Sequence, residues 1–203
     1  MLLTYIVSGF AVGLLVGMTG VGGGSLMTPL LTLLFGVPPS VAVGTDLAFA
    51  SITKGVGTVT HRLRGTVHWD IVKLLCIGAL PAAVVATLGL RHFGTLNAEI
   101  GQVIRYSIAG SVMLTVVALL FKGKMLAWIN ASPSRQLQGR TLSAATITAG
   151  AVLGILVTVS SIGAGAIGAT LLVMLYPRLS SAEVAGTDIA YAVPLTAIAA
   201  AGH

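Results

Sequence analysis

The sequence predicts an all-α, polytopic transmembrane bundle of two homologous repeats whose first helices are broken. Three observations predict it. Of 203 residues, 56% are hydrophobic and only 8% charged, where a soluble domain carries roughly 25% charged residues. Apolar segments follow one another at 2–35, 39–60, 70–90, 103–121, 143–176 and 181–202, and about 20 such residues suffice to cross a bilayer. Finally, the beginning and the end of the chain repeat each other.

Residues 2–35 are too long for one span. A straight helix of that length would run about 51 Å at 1.5 Å per residue, and the hydrocarbon core is about 30 Å thick. The segment also contains GVGGG at 20–24. Each glycine costs about 1 kcal/mol relative to alanine in a helix interior, so this run predicts a helix, a break and a second, shorter helix. Residues 39–60, 70–90 and 103–121 read as single spans. Residues 122–142, with Ser132, Pro133 and Ser134, are the only real linker. Residues 143–176 repeat the first pattern, overlong and interrupted by SIGAG at 161–165, and 181–202 closes the chain. The opening MLLTYIVSGF has no charged leader and its apolar run outlasts a signal peptide's core, so it reads as a mature span. Cys76 is the only cysteine, which excludes a disulfide within the chain.

Charge sorts the loops. The net charge is +6, but the basic residues are scattered with no face of interleaved aromatics, so nucleic acid is not an expected partner. Arg62, Arg64 and Lys73 flank the 61–69 loop, and Lys122, Lys124, Arg135 and Arg140 fill the 122–142 loop. The positive-inside rule puts both in the cytoplasm. Whether the broken segments cross or re-enter decides the parity of the rest. Trp69 and Trp128 fall at expected boundaries.

The repeat is specific. GFAVGLLVGMTGVGGGSLMTPLL (9–31) aligns with GAVLGILVTVSSIGAGAIGATLL (150–172), so that Gly9, Gly13, Gly22 and Gly24 fall on Gly150, Gly154, Gly163 and Gly165. After a one-residue slip VGTDLAFA (43–50) falls on AGTDIAYA (185–192), and His61 on His203. The expected division is a first transmembrane repeat over 1–121, a cytoplasmic linker over 122–142 and a second repeat over 143–203. Two further spans follow His61 but none follows His203, so by internal symmetry the chain is expected to lack about two spans.

Repeats with interrupted helices in corresponding positions point to a transporter's central binding site. At a helix N-terminus the first N–H groups lack partners and carry a partial positive charge, and glycine lets an anion come close to them. Gly22, Gly23, Gly24 and Ser25, with Gly163 and Gly165 in the second repeat, are therefore the expected anion-binding backbone. Ser160 and Ser161 add hydroxyls. The Gly9, Gly13, Gly17 face and its counterpart Gly150, Gly154, Thr158 read instead as helix packing. In the second span Asp46, Ala50, Thr53, Lys54, Gly57 and His61 fall on one stripe, and ionisable groups inside a span normally face protein or a watery cavity. Thr45 and Thr187 are expected hydrogen-bond donors to substrate and Lys54 its counter-charge, with snorkelling as the other reading of Lys54. Asp46 and Asp188 suit either proton coupling or the capping of a half-helix. His61 and His203 are either interfacial or proton relays. No enzyme constellation and no metal-ligand spacing emerges.

These residues resemble a known family. GLLVGMTGVGGGSLMTPLL, AVGTDLAFASITKGVGTVTHRLRGTVHWDIV and SSIGAGAIGATLLVMLYPRL followed by AGTDIAYAVPL are similar to the TauE/SafE family of sulfite and organosulfonate exporters, also called the 4-toluene sulfonate uptake permease family. The resemblance spans nearly the whole chain. It implies a multi-pass secondary transporter of the cell inner membrane for small sulfur-containing anions, in the export direction, without a cofactor. The partners so implied are a small anionic substrate, the lipid bilayer and a coupling proton or sodium ion, with a homodimer left open. An anion channel, or a structural subunit without alternating access, is the rival reading. Where many members carry Ser or Asn after the GT pair this chain has Asp46 and Asp188, and where members often read G-x-V-D-W it has Gly65, Thr66, Val67, His68 and Trp69.

Overall fold

The computed structural model describes residues 27–94, 137–162 and 165–202, and single helical positions at 6, 9–11, 13–14, 102, 106, 109–110, 113, 117 and 120. The first glycine break with Ser25, the linker over 122–136, Gly163 and His203 lie outside the described residues. The described residues are all-α. Six helices follow in order: α1 (Met27–Leu33), α2 (Pro39–Leu63), α3 (Trp69–Gly94), α4 (Gly139–Ser160), α5 (Ala166–Leu175) and α6 (Ser181–Ala200).

Local chemistry sets the ends. Pro39 opens α2 at a position where its missing N–H costs nothing. At the other end Gly65 takes a left-handed φ of 68°. Its N–H then reaches the Arg62 carbonyl and the Thr66 N–H the His61 carbonyl, closing two orphan acceptors as a Schellman turn does. α6 begins with a capping box: Ser180 Oγ accepts the Glu183 N–H, and the Glu183 carboxylate accepts the Ser180 N–H.

Two of the described helical segments are long and apolar enough to cross a membrane, Trp69–Leu90 and Gly139–Ser160. They lie side by side on a seam of glycine. A Cβ on Gly150 would meet the backbone of Leu75, one on Gly154 that of Ala79, and one on Gly78 the backbone of Ile147 and Ala151. The pairs 75–150 and 79–154 advance together, so α3 and α4 run parallel. The packing face expected at Gly150 and Gly154 is thus present, and its partner is α3.

The other long pairing is α2 with α6, the two helices carrying the GTD motif. Ser51 Oγ donates to the Val193 carbonyl at 3.4 Å, Gly57 faces Ile189, and Gly186 faces His61. As one number rises the other falls, so these helices are antiparallel. Leu47, Leu75, Leu153, Val157, Ile162, Leu172, Tyr191 and Leu195 fill the shared core.

The segment over 143–176 is two helices rather than one. α4 stops at Ser160, and Ser161 turns the chain with a left-handed φ of 59°. The Ile162 N–H returns to Ser160 Oγ at 3.2 Å. α5 then doubles back, because the Tyr176 hydroxyl at its end lies 2.8 Å from Thr146 Oγ1 in the second turn of α4. Thr146 gives its own proton to the Leu142 carbonyl, so Tyr176 is the donor. α4 and α5 form a hairpin, with Ser161 at the turn where α4 ends.

Candidate functional site

Asp46 lies where the helices converge. It sits about two turns into α2, with 1% of its surface exposed. Its Oδ2 accepts from Thr28 Oγ1 at 3.1 Å and from Ser161 Oγ at 2.5 Å. Thr28 belongs to the first turn of α1, and Ser161 is the tip of the α4–α5 hairpin. One carboxylate therefore ties three segments together. A buried charge is costly unless hydrogen-bonded, and these two hydroxyls supply that compensation on one oxygen. Its Oδ1 has no hydrogen bond among the described residues.

Asp188 holds the matching place on α6 but not the matching partners. It is 4% exposed and faces α5. A Cβ on Gly168 would collide with Asp188 Oδ1 and with the Tyr191 hydroxyl, so both oxygens converge on the bare Cα of that glycine. Neither makes a hydrogen bond among the described residues. In sequence, Gly20 aligns with Ser161 and Phe49 with Tyr191. The two GTD aspartates therefore stand in unlike surroundings.

Lys54 lies between them. It is half-buried, and the charges of both Asp188 and Asp46 reach it. On α2 it is eight residues from Asp46, about 12 Å along the axis at helical rise. Antiparallel packing then brings Asp188 toward it from α6. Sequence reasoning along a single helix could place Lys54 on the stripe of Asp46 but could not supply this second neighbour.

The remaining expected residues are distributed as follows. Thr45 is exposed, and its hydroxyl donates to the Val41 carbonyl at 2.7 Å, so it is not brought to the Asp46–Lys54–Asp188 group. Thr187 is fully buried and its Oγ1 accepts the His68 N–H at 3.1 Å. Gly186, just before it, presses on the Thr66 carbonyl and His61 Nδ1. His61 Nδ1 is itself 2.8 Å from Thr66 Oγ1. The second GTD therefore does three separate jobs: close approach by Gly186, an acceptor at Thr187 and a buried carboxylate at Asp188. His68 Nε2 pairs with Glu183 Oε1 at 3.0 Å, so the α2–α3 turn is clamped onto the start of α6. Gly165 is the residue before α5, and its carbonyl accepts the Ala169 N–H. Ser161 was expected to face an anion, but its hydroxyl points at Asp46. Gly22, Gly23, Gly24, Ser25, Gly163 and His203 lie outside the described residues.

Sequence reasoning missed Thr28, Gly168 and Tyr191. A signal for Tyr191 existed, since it is the one hydroxyl-bearing aromatic in the repeated octet and stands opposite Phe49. Among the described residues no three His, Cys, Asp or Glu side chains gather as metal ligands.

Known proteins resemble the chain along nearly its full length. The family described as sulfite exporter TauE/SafE matches residues 5–203. A probable membrane transporter protein of Bacillus subtilis (strain 168), YjnA, is 38% identical over 202 residues, covering 98% of this chain and 78% of its own. Another from the same organism, YdhB, is 31% identical over 192 residues, covering 92% of this chain and 72% of its own. The sulfite exporter TauE/SafE family protein 5 of Arabidopsis thaliana is 27% identical over 123 residues, covering 59% of this chain and 26% of its own. No solved structure matches.

Proposed function

Because the chain belongs to the TauE/SafE family of membrane transporters, we propose that it is a secondary transporter carrying a small sulfur-containing anion, sulfite or an organosulfonate, out of the cell. Family membership makes it a membrane transport protein and not an enzyme. The reading places it in the cell inner membrane as a multi-pass protein, divided into repeats over 1–121 and 143–203 joined by the 122–142 linker.

The observation that carries the proposal is Lys54, a cation half-buried between two antiparallel helices and flanked by two buried carboxylates. A lone surface lysine would need no such neighbours. An anion passing the α4–α5 tip finds its counter-charge here. Antiparallel packing of the two GTD helices supports inverted repeats, each with a short helix (α1 or α5) set against its aspartate. Such repeats let one half move against the other around a central site.

α2 counts as a span on the same reading. Its mean hydropathy is lowered by Asp46, Lys54 and Arg62, yet Phe49, Ile52, Val56, Val59 and Leu63 form an exposed apolar stripe at the spacing of one helix face. Lipid is the natural cover for that stripe.

Uptake into liposomes containing the protein tests the proposal, with radiolabelled sulfite, thiosulfate and methanesulfonate. Saturable flux of at least one anion is expected, reduced about tenfold or more by Lys54→Ala and partly kept by Lys54→Arg. Non-saturating conductance, or flux indifferent to Lys54→Ala, would overturn it.

A further inference from the structure

The two GTD aspartates are equivalent in sequence but not in surroundings, and that difference separates their roles. Resting on the transport reading above, we propose that Asp188 is the proton carrier of the cycle, with Tyr191 and Gly168 forming its seat, and that Asp46 is a latch holding the hairpin tip.

The charge count comes first. Lys54 supplies one positive charge to a group holding two buried carboxylates. Both ionised, the group carries one uncompensated negative charge inside the membrane, which is costly. One proton removes it. Two carboxylates that answer to one lysine hold that proton according to the hydrogen bonds each can offer its charged form.

The hydrogen bonds then choose the site. Asp46 Oδ2 accepts two hydroxyl bonds, from Thr28 and Ser161. Asp188 Oδ1 accepts none among the described residues and rests against Gly168 beside the Tyr191 hydroxyl. Among the described residues every other titratable group near Asp188 has another place. From α2 come Lys54 and His61, the latter set against Thr66 and Gly186 near the helix end, while Asp46 lies farther along the helix against Thr28 and Ser161. From α3 comes Cys76, close enough to act on Tyr191. α5 offers no titratable residue, and Glu183 sits at the exposed start of α6, bound to Ser180 and His68. The proton therefore belongs on Asp188.

The coupling follows from Lys54. When Asp188 is ionised it holds the lysine's charge. When Asp188 binds one proton, that charge is released to an anion. Anion and proton then travel together, and an anion made in excess inside the cell still leaves when its own gradient exceeds that of the proton.

The test is anion entry into liposomes holding the protein and an entrapped pH indicator, with methanesulfonate, thiosulfate and sulfite as probes. In the wild type, entry is expected to acidify the interior, and KM for the anion should rise about tenfold per pH unit across the titrating range. Asp188→Asn is expected to move anion without acidification, with a KM that varies less than about twofold over the same range. Asp46→Asn is expected to keep the acidification, with the pH midpoint of KM moved downward because one negative charge has gone, and at lower stability. Acidification that survives Asp188→Asn, or that is lost in Asp46→Asn instead, would overturn the assignment. If Asp188→Asn does not assemble in the membrane, Tyr191→Phe decides. Loss of the neighbouring hydroxyl should move the pH midpoint of KM upward, and an unmoved midpoint overturns the proposal. A wild type that carries none of the three anions refutes the transport reading itself.

Discussion

Ser161 has two tasks that pull in different directions. Its φ of 59° is a conformation that costs a non-glycine residue about 1–2 kcal/mol, and the aligned residue in the first repeat, Gly20, would be free of that cost. Serine stands there because its hydroxyl reaches Asp46. Ser161→Ala should therefore lower stability by about 1.5–3 kcal/mol, the range for a hydrogen bond to a charged group. Ser161→Gly loses the same bond but regains the backbone cost, so it should be the milder change. Thermal unfolding in detergent checks the order: equal losses would mean the left-handed backbone at 161 costs nothing, and a Ser161→Ala variant as stable as the wild type would mean the hydroxyl bond contributes nothing. At this scale the sequence was only half legible. Asp46, Lys54 and Asp188 stand out as ionisable residues in apolar runs. The hydrogen-bond partners of Asp46, Thr28 and Ser161, lie 18 and 115 residues away from it, and no periodicity reports such distances.

The helices themselves were more readable, because their signals are local. α2 was expected to begin near 39, and Pro38–Pro39 marks that start. α6 was expected from 181, and the Ser180–Glu183 box explains the boundary. What α4 does after Ser160 was not local information. SIGAG announces a stop, but only the contact of Tyr176 with Thr146 shows that the chain turns back. The glycines of α3 and α4 also differ in a way that composition hides. Gly154 meets the Ala79 backbone, whereas Gly89 has open space around it. Gly154→Leu should push the helices apart and cost about 1–3 kcal/mol. Gly89→Ala should be neutral or add up to about 1 kcal/mol through helix propensity. The two melting points, measured side by side, separate packing glycines from tolerated ones. A Gly154→Leu variant as stable as the wild type would refute the seam.

For the molecule as a whole, the α4–α5 hairpin favours one answer to the parity that the sequence left open, a re-entrant segment. α3, α4 and α6 run the same way, and the turn at 64–68 touches the start of α6 through His68 with Glu183 and Thr187. Arg62, Arg64, Arg140 and Arg178 therefore gather at one end of the bundle, as the positive-inside rule asks of a cytoplasmic face. In a Cys76→Ala background, cysteines placed at Arg64, Arg140 and Arg178 should all label from the same side of the membrane with an impermeant maleimide. Labelling of position 178 from the opposite side would mean that α4 and α5 together cross the bilayer. The charge pattern had already grouped the 61–69 and 122–142 loops. Adding Arg178 required the three-dimensional fold, since a crossing and a re-entrant segment have the same composition.

The carbonyls of Leu75 and Ala79 occupy the space where side chains at 150 and 154 would begin. Surfaces meshed backbone to backbone behave like engaged gear teeth: one cannot ratchet along the other without first lifting clear. α3 and α4 must then travel as one solid block. On the proposed transport cycle, any movement that exposes Lys54 first to one face of the membrane and then to the other has to slip along a different boundary, and the α2–α6 contact, joined by side chains, is where such slippage would be cheapest.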